Sequence, residues 1–196
     1  MSHHGSLGSV LNGRLAQARA AVHALEERSA DVQSVMDAVR TTLVAGGTLF
    51  TCGNGGSAAE ALHLAEELTG RYRSNRRPLR SVCLCADPTA LTCIANDFGF
   101  DQVFARPLAA LGRREDALVA FSTSGRSANL VAALTAARDL GMRTIGLLGG
   151  DGGACLPLCD VAVTVSGVDG AAVQEAHQMI MHAICECLED GAPGPA

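Results

Sequence analysis

Five short runs, TLFTC (48–52), SVCLC (81–85), ALVAFS (117–122), TIGLLG (144–149) and VAVTV (161–165), are apolar along their length instead of alternating. A strand with one wet face alternates, whereas a strand covered on both faces reads as a continuous apolar run. Helical stretches at 57–70, 101–111, 127–140 and 171–189 separate these runs, with shorter turns near 88–95 and 153–158. Strand and helix in alternation, with right-handed crossovers, imply an α/β fold: a doubly wound five-stranded parallel sheet flanked by helices. Aromatic residues are only 3 % of the chain and Trp is absent, so Ala, Val, Leu and Ile must build the core.

Ahead of the first strand, residues 10–45 read as an extra N-terminal helix with a break near Ser29 and Asp31. The sheet can close without it, and such a helix commonly packs on a partner subunit. The expectation is one domain over residues 1–196, with the α/β core at 48–189 and the DGAPGPA tail (190–196) frayed. The net charge of -5 argues against a nucleic-acid partner. No run approaches the roughly 18 apolar residues of a membrane span, and MSHHGSLGSV lacks the pattern of a secretory signal. The reading is cytoplasmic, with no membrane partner. The eight cysteines form no C-x-x-C pair and read as small buried hydrophobes.

Ligands of open α/β sheets bind beyond the carboxyl ends of the strands. Two of those ends carry small, hydroxyl-rich loops that run straight into helices: Asn54, Gly55, Gly56 and Ser57 after the first strand, and Ser122, Thr123, Ser124 and Ser127 around the third. Glycines let backbone N–H groups approach an anion, and each helix start adds partial positive charge. Neither loop carries the G-K-[ST] of a P-loop or the G-x-G-x-x-G of a dinucleotide site. The ligand expected is a phosphorylated small molecule.

These loops in this order, CGNGGSA and FSTSGRSAN, closely resemble the sugar isomerase (SIS) domain family. ALHLAEELTGRY, IANDFGFDQVFARPL and VQEAHQMIMHA narrow the resemblance to its phosphoheptose isomerase branch, over residues 10–190. The resemblance implies an SIS fold and aldose–ketose conversion of D-sedoheptulose 7-phosphate to D-glycero-D-manno-heptose 7-phosphate. It also implies a homotetramer with active sites between subunits, and zinc, one divalent ion per chain. By that resemblance the substrate contacts are Asn54, Gly55, Gly56, Ser57, Glu67, Asn96, Asp97, Ser122, Thr123, Ser124, Ser127 and Gln174. The acid–base pair is Glu67 and His182, and the metal ligands are His63, Glu67, Gln174 and His182.

Helical spacing is compatible with that assignment. His63 and Glu67 lie about 40° apart round a helix, and Gln174 and His182 about 80° apart. The start of helix 57–70 would then hold one end of a substrate while its far turn works on the other. Two positions depart from the branch: Arg126 stands where an uncharged residue, often Asn, is usual, and Ala172 where Arg is common. In RYRSNRRPLR the arginines read as a solvated loop, with Arg71 as an alternative sugar-phosphate contact; His177 reads as structural and Asp169 as a possible further contact. Two alternatives remain open: a non-catalytic SIS-domain regulator that binds a protein partner, and an isomerase of another phosphosugar. The regulatory branch lacks the acid–base pair that this chain keeps.

Overall fold

The computed structural model describes residues 7–189. Its sheet comprises β1 (Leu49–Gly53), β2 (Ser81–Cys83), β3 (Ala117–Ser122), β4 (Arg143–Gly149) and β5 (Val161–Val165), in the spatial order β2-β1-β3-β4-β5. All neighbouring strands are parallel; Leu49, for example, lies opposite Ser81 on one side and Ala117 on the other. The strand order reverses between β1 and β3. The helices that follow those two strands, at 56–69 and 128–139, lie on opposite faces of the sheet, and such reversals are where open α/β sheets hold ligands.

Successive residues of each strand serve opposite faces. Leu49, Val119, Phe121, Ile145 and Leu147 pack on one side against α2 (Ser29–Val44), α3 (Gly56–Thr69) and α7 (Gly170–Glu189). Phe50, Cys52, Leu118, Ala120 and Leu148 pack on the other against α6 (Ala128–Asp139) and α5 (Ala105–Leu111). The remaining helices are α1 (Leu7–Glu27) and α4 (Pro88–Phe98).

The fold departs from the sequence reading at several elements. The N-terminal helix breaks at Arg28 as expected, but its second half is part of the core: Val35, Ala38, Val39 and Leu43 of α2 are buried against the sheet. Only α1 is peripheral, and it docks through Ala21 onto Ala172, Val173 and Ala176. Residues 88–95 are no short turn but belong to an 11-residue helix, α4. Pro88 fills its first position, and the Asp87 carboxylate accepts the Thr89 and Ala90 N–H groups at 2.9 and 3.0 Å. The stretch 101–111 resolves into a 3₁₀ turn (Phe100–Gln102) followed by α5. β2 stops at Cys83, leaving Leu84 and Cys85 in a turn.

All eight cysteines are free. Burial pushes the thiols of Cys155 and Cys185 up to about 11 and about 12, as for inert packing residues, whereas Cys93 on α4 is exposed. The expectation for the tail at 190–196 lies outside the described residues.

Candidate active site

The two hydroxyl-rich loops meet at the switch point and are tied to each other. Asn54 and Asn129 exchange a pair of amide hydrogen bonds, at 2.9 and 2.8 Å. Asn129, in the first turn of α6, is only 2 % exposed, so this pair sets how far apart the loops stand. The Ser122 hydroxyl is buried and accepts the Gly125 N–H at 2.9 Å, which makes it a loop former. Gly125 has φ +63°, and a Cβ there would collide with the Gly152 carbonyl. Thr123, Ser124 and Ser127 stay accessible, while Ser57 is buried in the first turn of α3. Ser127 occupies the N-cap position of α6 without a side-chain capping bond, which leaves its hydroxyl available to a ligand. Arg126 is already engaged: it binds both carboxylate oxygens of Asp151, at 2.8 and 2.6 Å. The Gly153 N–H and the Arg126 guanidinium hold the Asp151 carboxyl below the usual carboxylate range.

From this anion end, α3 and α7 run side by side and meet in successive polar contacts. Gln174 lies flat on Gly56, where a Cβ would stand 2.8 Å from its Cδ and Oε1. Next come Glu60 and His177, with Oε2 and Nδ1 3.8 Å apart, both buried and edged by the Phe121 ring. Neither atom has a hydrogen-bond partner. One turn further, His63 Nε2 stands 3.2 Å from Glu67 Oε1. The Gln178 amide nitrogen bridges the two helices, 2.8 Å from His63 Nδ1 and 3.3 Å from His182 Nε2. With that nitrogen as donor, both facing ring nitrogens accept. The network therefore assigns the His63 proton to Nε2, directed at Glu67. The His63 and His182 rings meet edge-on at 5.7 Å, and the Tyr72 ring lies 5.8 Å from His182.

His63, Glu67 and His182 thus come together, with Gln178 between them. Gln178 was not singled out in the sequence, although Gln174, Gln178 and His182 recur at four-residue intervals and so share a helix face. Gln174 does not join this group in the same chain: eight residues separate it from His182, about 12 Å of axial rise. The ligand-type atoms that do gather within 4.8 Å of one another belong to His63, Glu66 and Glu67. Imidazole with carboxylate suits zinc; an ion held through Nε2 would place the His63 proton on Nδ1, and the Gln178 amide would then have to present its oxygen there. A second separation matters as much. Glu67 lies about 16 Å along α3 from Gly56. A seven-carbon chain has six C–C bonds of roughly 1.5 Å and falls short of that span even with its phosphate. The carbon chain alone does not bridge the two ends of α3; the Glu67 side chain, which leans back towards the helix start, spans part of the gap.

The chain is 41 % identical over 189 residues to a phosphoheptose isomerase of Helicobacter pylori (strain ATCC 700392 / 26695), covering 96 % of this chain and 91 % of that one. This chain belongs to the phosphoheptose isomerase family. A second such isomerase, from Helicobacter pylori (strain P12), is 49 % identical over 76 % of this chain and 77 % of its own. The SIS domain family matches residues 15–149. The solved phosphoheptose isomerase of Neisseria gonorrhoeae superposes with a TM-score of 0.88 at 37 % identity, covering 95 % of this chain and 100 % of that one. The protein is an isomerase with the SIS fold.

Of the other residues assigned by family resemblance, Asn96 and Asp97 are exposed on α4, where Asn96 donates to Asp97 at 2.7 Å. Asp169 caps α7, accepting the Ala172 N–H at 2.9 Å, and pairs with Arg14 of α1 at 2.6 Å. Ala172 is buried under α1. Arg71 is exposed, but Arg76 overturns the reading of a wholly solvated arginine loop: it is 6 % exposed and bonded to backbone carbonyls.

Proposed function

We propose that this phosphoheptose isomerase family member interconverts D-sedoheptulose 7-phosphate and D-glycero-D-manno-heptose 7-phosphate through an enediol. The observation that carries the reading is the hydrogen-bonded cluster on α3 and α7, in which a carboxylate and an imidazole stand together in an isomerase chain. Aldose–ketose exchange moves a proton between neighbouring carbons while O–H protons shift alongside. Glu67 takes and returns the carbon-bound proton, and His182 hands protons to and from the oxygens. Asn54, Gly55, Gly56, Ser57, Thr123, Ser124 and Ser127 hold the phosphate, with Ser122 and Asn129 shaping their loops. Gln174, lying on Gly56, contacts the sugar next to that phosphate, and Asn96 and Asp97 contact its hydroxyls. A divalent ion, zinc by ligand type, fits His63 and Glu67 with Glu66 or His182; when bound it would polarise the substrate's oxygens as a Lewis acid.

The 16 Å separation along α3 supports a site shared between copies, in which the phosphate loops of one chain face the Glu67–His182 group of another. A homotetramer supplies such pairings, and the apolar residues exposed on α1 provide contact surface for it. The test is incubation with sedoheptulose 7-phosphate and identification of the product by NMR. Glu67→Gln and His182→Ala should each lower turnover by about 10²–10⁴-fold, the usual contribution of a general acid or base. Ser124→Ala should chiefly raise KM. A Glu67→Gln enzyme working at the parent rate would remove the carboxylate from the mechanism.

A further inference from the structure

Glu67 sits in the last turn of α3, which ends at Thr69. Carbonyls in a last turn have no partner inside the helix, and helix ends fray. Here three of the four, those of Glu66, Glu67 and Leu68, are held. The Glu66 carbonyl accepts the Gly70 N–H at 2.7 Å. The Glu67 carbonyl accepts one terminal nitrogen of Arg76 at 2.7 Å, and the Leu68 carbonyl accepts the other at 3.0 Å, together with the Leu79 N–H at 2.9 Å. The second of those guanidinium nitrogens also donates to the Arg77 carbonyl at 3.0 Å, which locks the arginine's own loop.

The remaining edge of the guanidinium points to α7. Arg76 Nε faces Glu189 Oε1 at 3.7 Å, and both atoms are buried without a hydrogen-bond partner. The other oxygen of Glu189 accepts the Ser74 N–H at 2.6 Å. Two residues earlier in the same loop, the Tyr72 hydroxyl donates to Glu186 at 3.2 Å, and the Tyr72 ring lies against His182. Loop 70–79 therefore straps the end of the helix that carries Glu67 to the end of the helix that carries His182.

We propose that Arg76 is a positioning residue that clamps the last turn of α3 to the C-terminal end of α7 and so fixes the Glu67 carboxylate relative to His63 and His182. The inference rests on Glu67 and His182 being the acid–base pair. Arginine suits the task because its planar fork reaches two successive carbonyls while a third N–H faces a carboxylate; a lysine ammonium cannot span all three.

Three variants test the clamp: Arg76→Ala, Arg76→Lys, which keeps the charge without the fork, and Glu189→Gln, which leaves the carbonyl bonds intact. The readouts are kcat and KM for the sugar phosphate, and hydrogen exchange of the peptide spanning residues 62–70. Arg76→Ala should lose kcat on the order of 10²-fold, the scale of a misplaced catalytic group, with KM little changed because the phosphate loops lie at the other end of α3. Amides 68–70 should exchange faster while the strands keep their protection. Millimolar guanidinium should restore part of the kcat of Arg76→Ala, and equal sodium chloride should not. Arg76→Lys should resemble Arg76→Ala, with Glu189→Gln milder, and these two carry the test if the alanine variant does not fold. Parental kcat in Arg76→Lys, or protection lost evenly across the sheet without guanidinium rescue, overturns the proposal. If the parent turns over no sugar phosphate, the functional reading fails separately; exchange at 68–70 then decides, and unchanged protection there rejects the clamp.

Discussion

Asn129 illustrates how a residue that need never touch substrate can govern a binding site. Its amide answers both hydrogen-bonding groups of the Asn54 amide, so truncation leaves a part-buried partner unsatisfied. Asn129→Ala should cost about 1–3 kcal/mol. In a chain of this size each kcal/mol lowers Tm by about 2–4 °C, measurable in a thermal melt. KM should rise more than kcat falls, because the loops separate while Glu67 and His182 stay in place; a variant with parental Tm and KM would show that the pair is incidental. The residues hardest to read from sequence share one property: their role depends on a partner far along the chain. Arg76 is indistinguishable from its four arginine neighbours until Glu189 and the end of α3 fold around it. Gln178 gains meaning only once His63 is opposite. The turns after β1 and β3 were legible because glycine and serine shape them through local backbone chemistry.

Among the elements, β1, β3 and β4 were legible since both of their faces are covered and no alternation obscures them. α4 buries no residue completely, although Leu91, Ile94 and Ala95 pack partly buried against the core; its start signal, Asp87-Pro88, was the guide to its length. α1 poses a different question, since it is held at one end by charge. Arg14 pairs with Asp169 at 2.6 Å and with Glu175 at 3.1 Å. The Arg14 hydrogen bond, aided by the Ala172 N–H, holds the Asp169 carboxyl below its ordinary value. A carboxyl lowered by folding contributes stability that is present above its unfolded value and fades as pH falls through its folded one. Docking of α1 should therefore be complete at neutral pH and weaken from about pH 4 downward. In Arg14→Ala, an NMR titration should find the Asp169 carboxyl moved up towards its ordinary value, and the amides of α1 should exchange faster at neutral pH. An unmoved titration would show that the cap alone sets it.

Among the described residues, α1 carries the largest group of exposed apolar side chains: Leu7, Val10, Leu11, Leu15 and Val22. Leu7, Leu11, Leu15 and Val22 fall within about 80° of helical arc, a stripe of the kind that oligomers bury. Light scattering on the parent should report a homotetramer. Leu11→Glu with Leu15→Glu should yield smaller species with little isomerase activity, although Glu67, His182 and the serine loops are untouched. Full activity in a monomeric variant would show that one chain suffices. The strand order carries a consequence for biosynthesis. β1 finds its first neighbour, β2, early, but its other neighbour, β3, begins 68 residues later at Ala117, opposite Leu49. A chain leaving the ribosome therefore holds β1 with one side unpaired until Ser122 has emerged, and the anion cradle waits longer, for Asn129. Such non-local pairing is slow and leaves an exposed strand edge prone to association while it is awaited. The switch point that creates the binding crevice thus makes the newborn polypeptide dependent on prompt synthesis of its middle third.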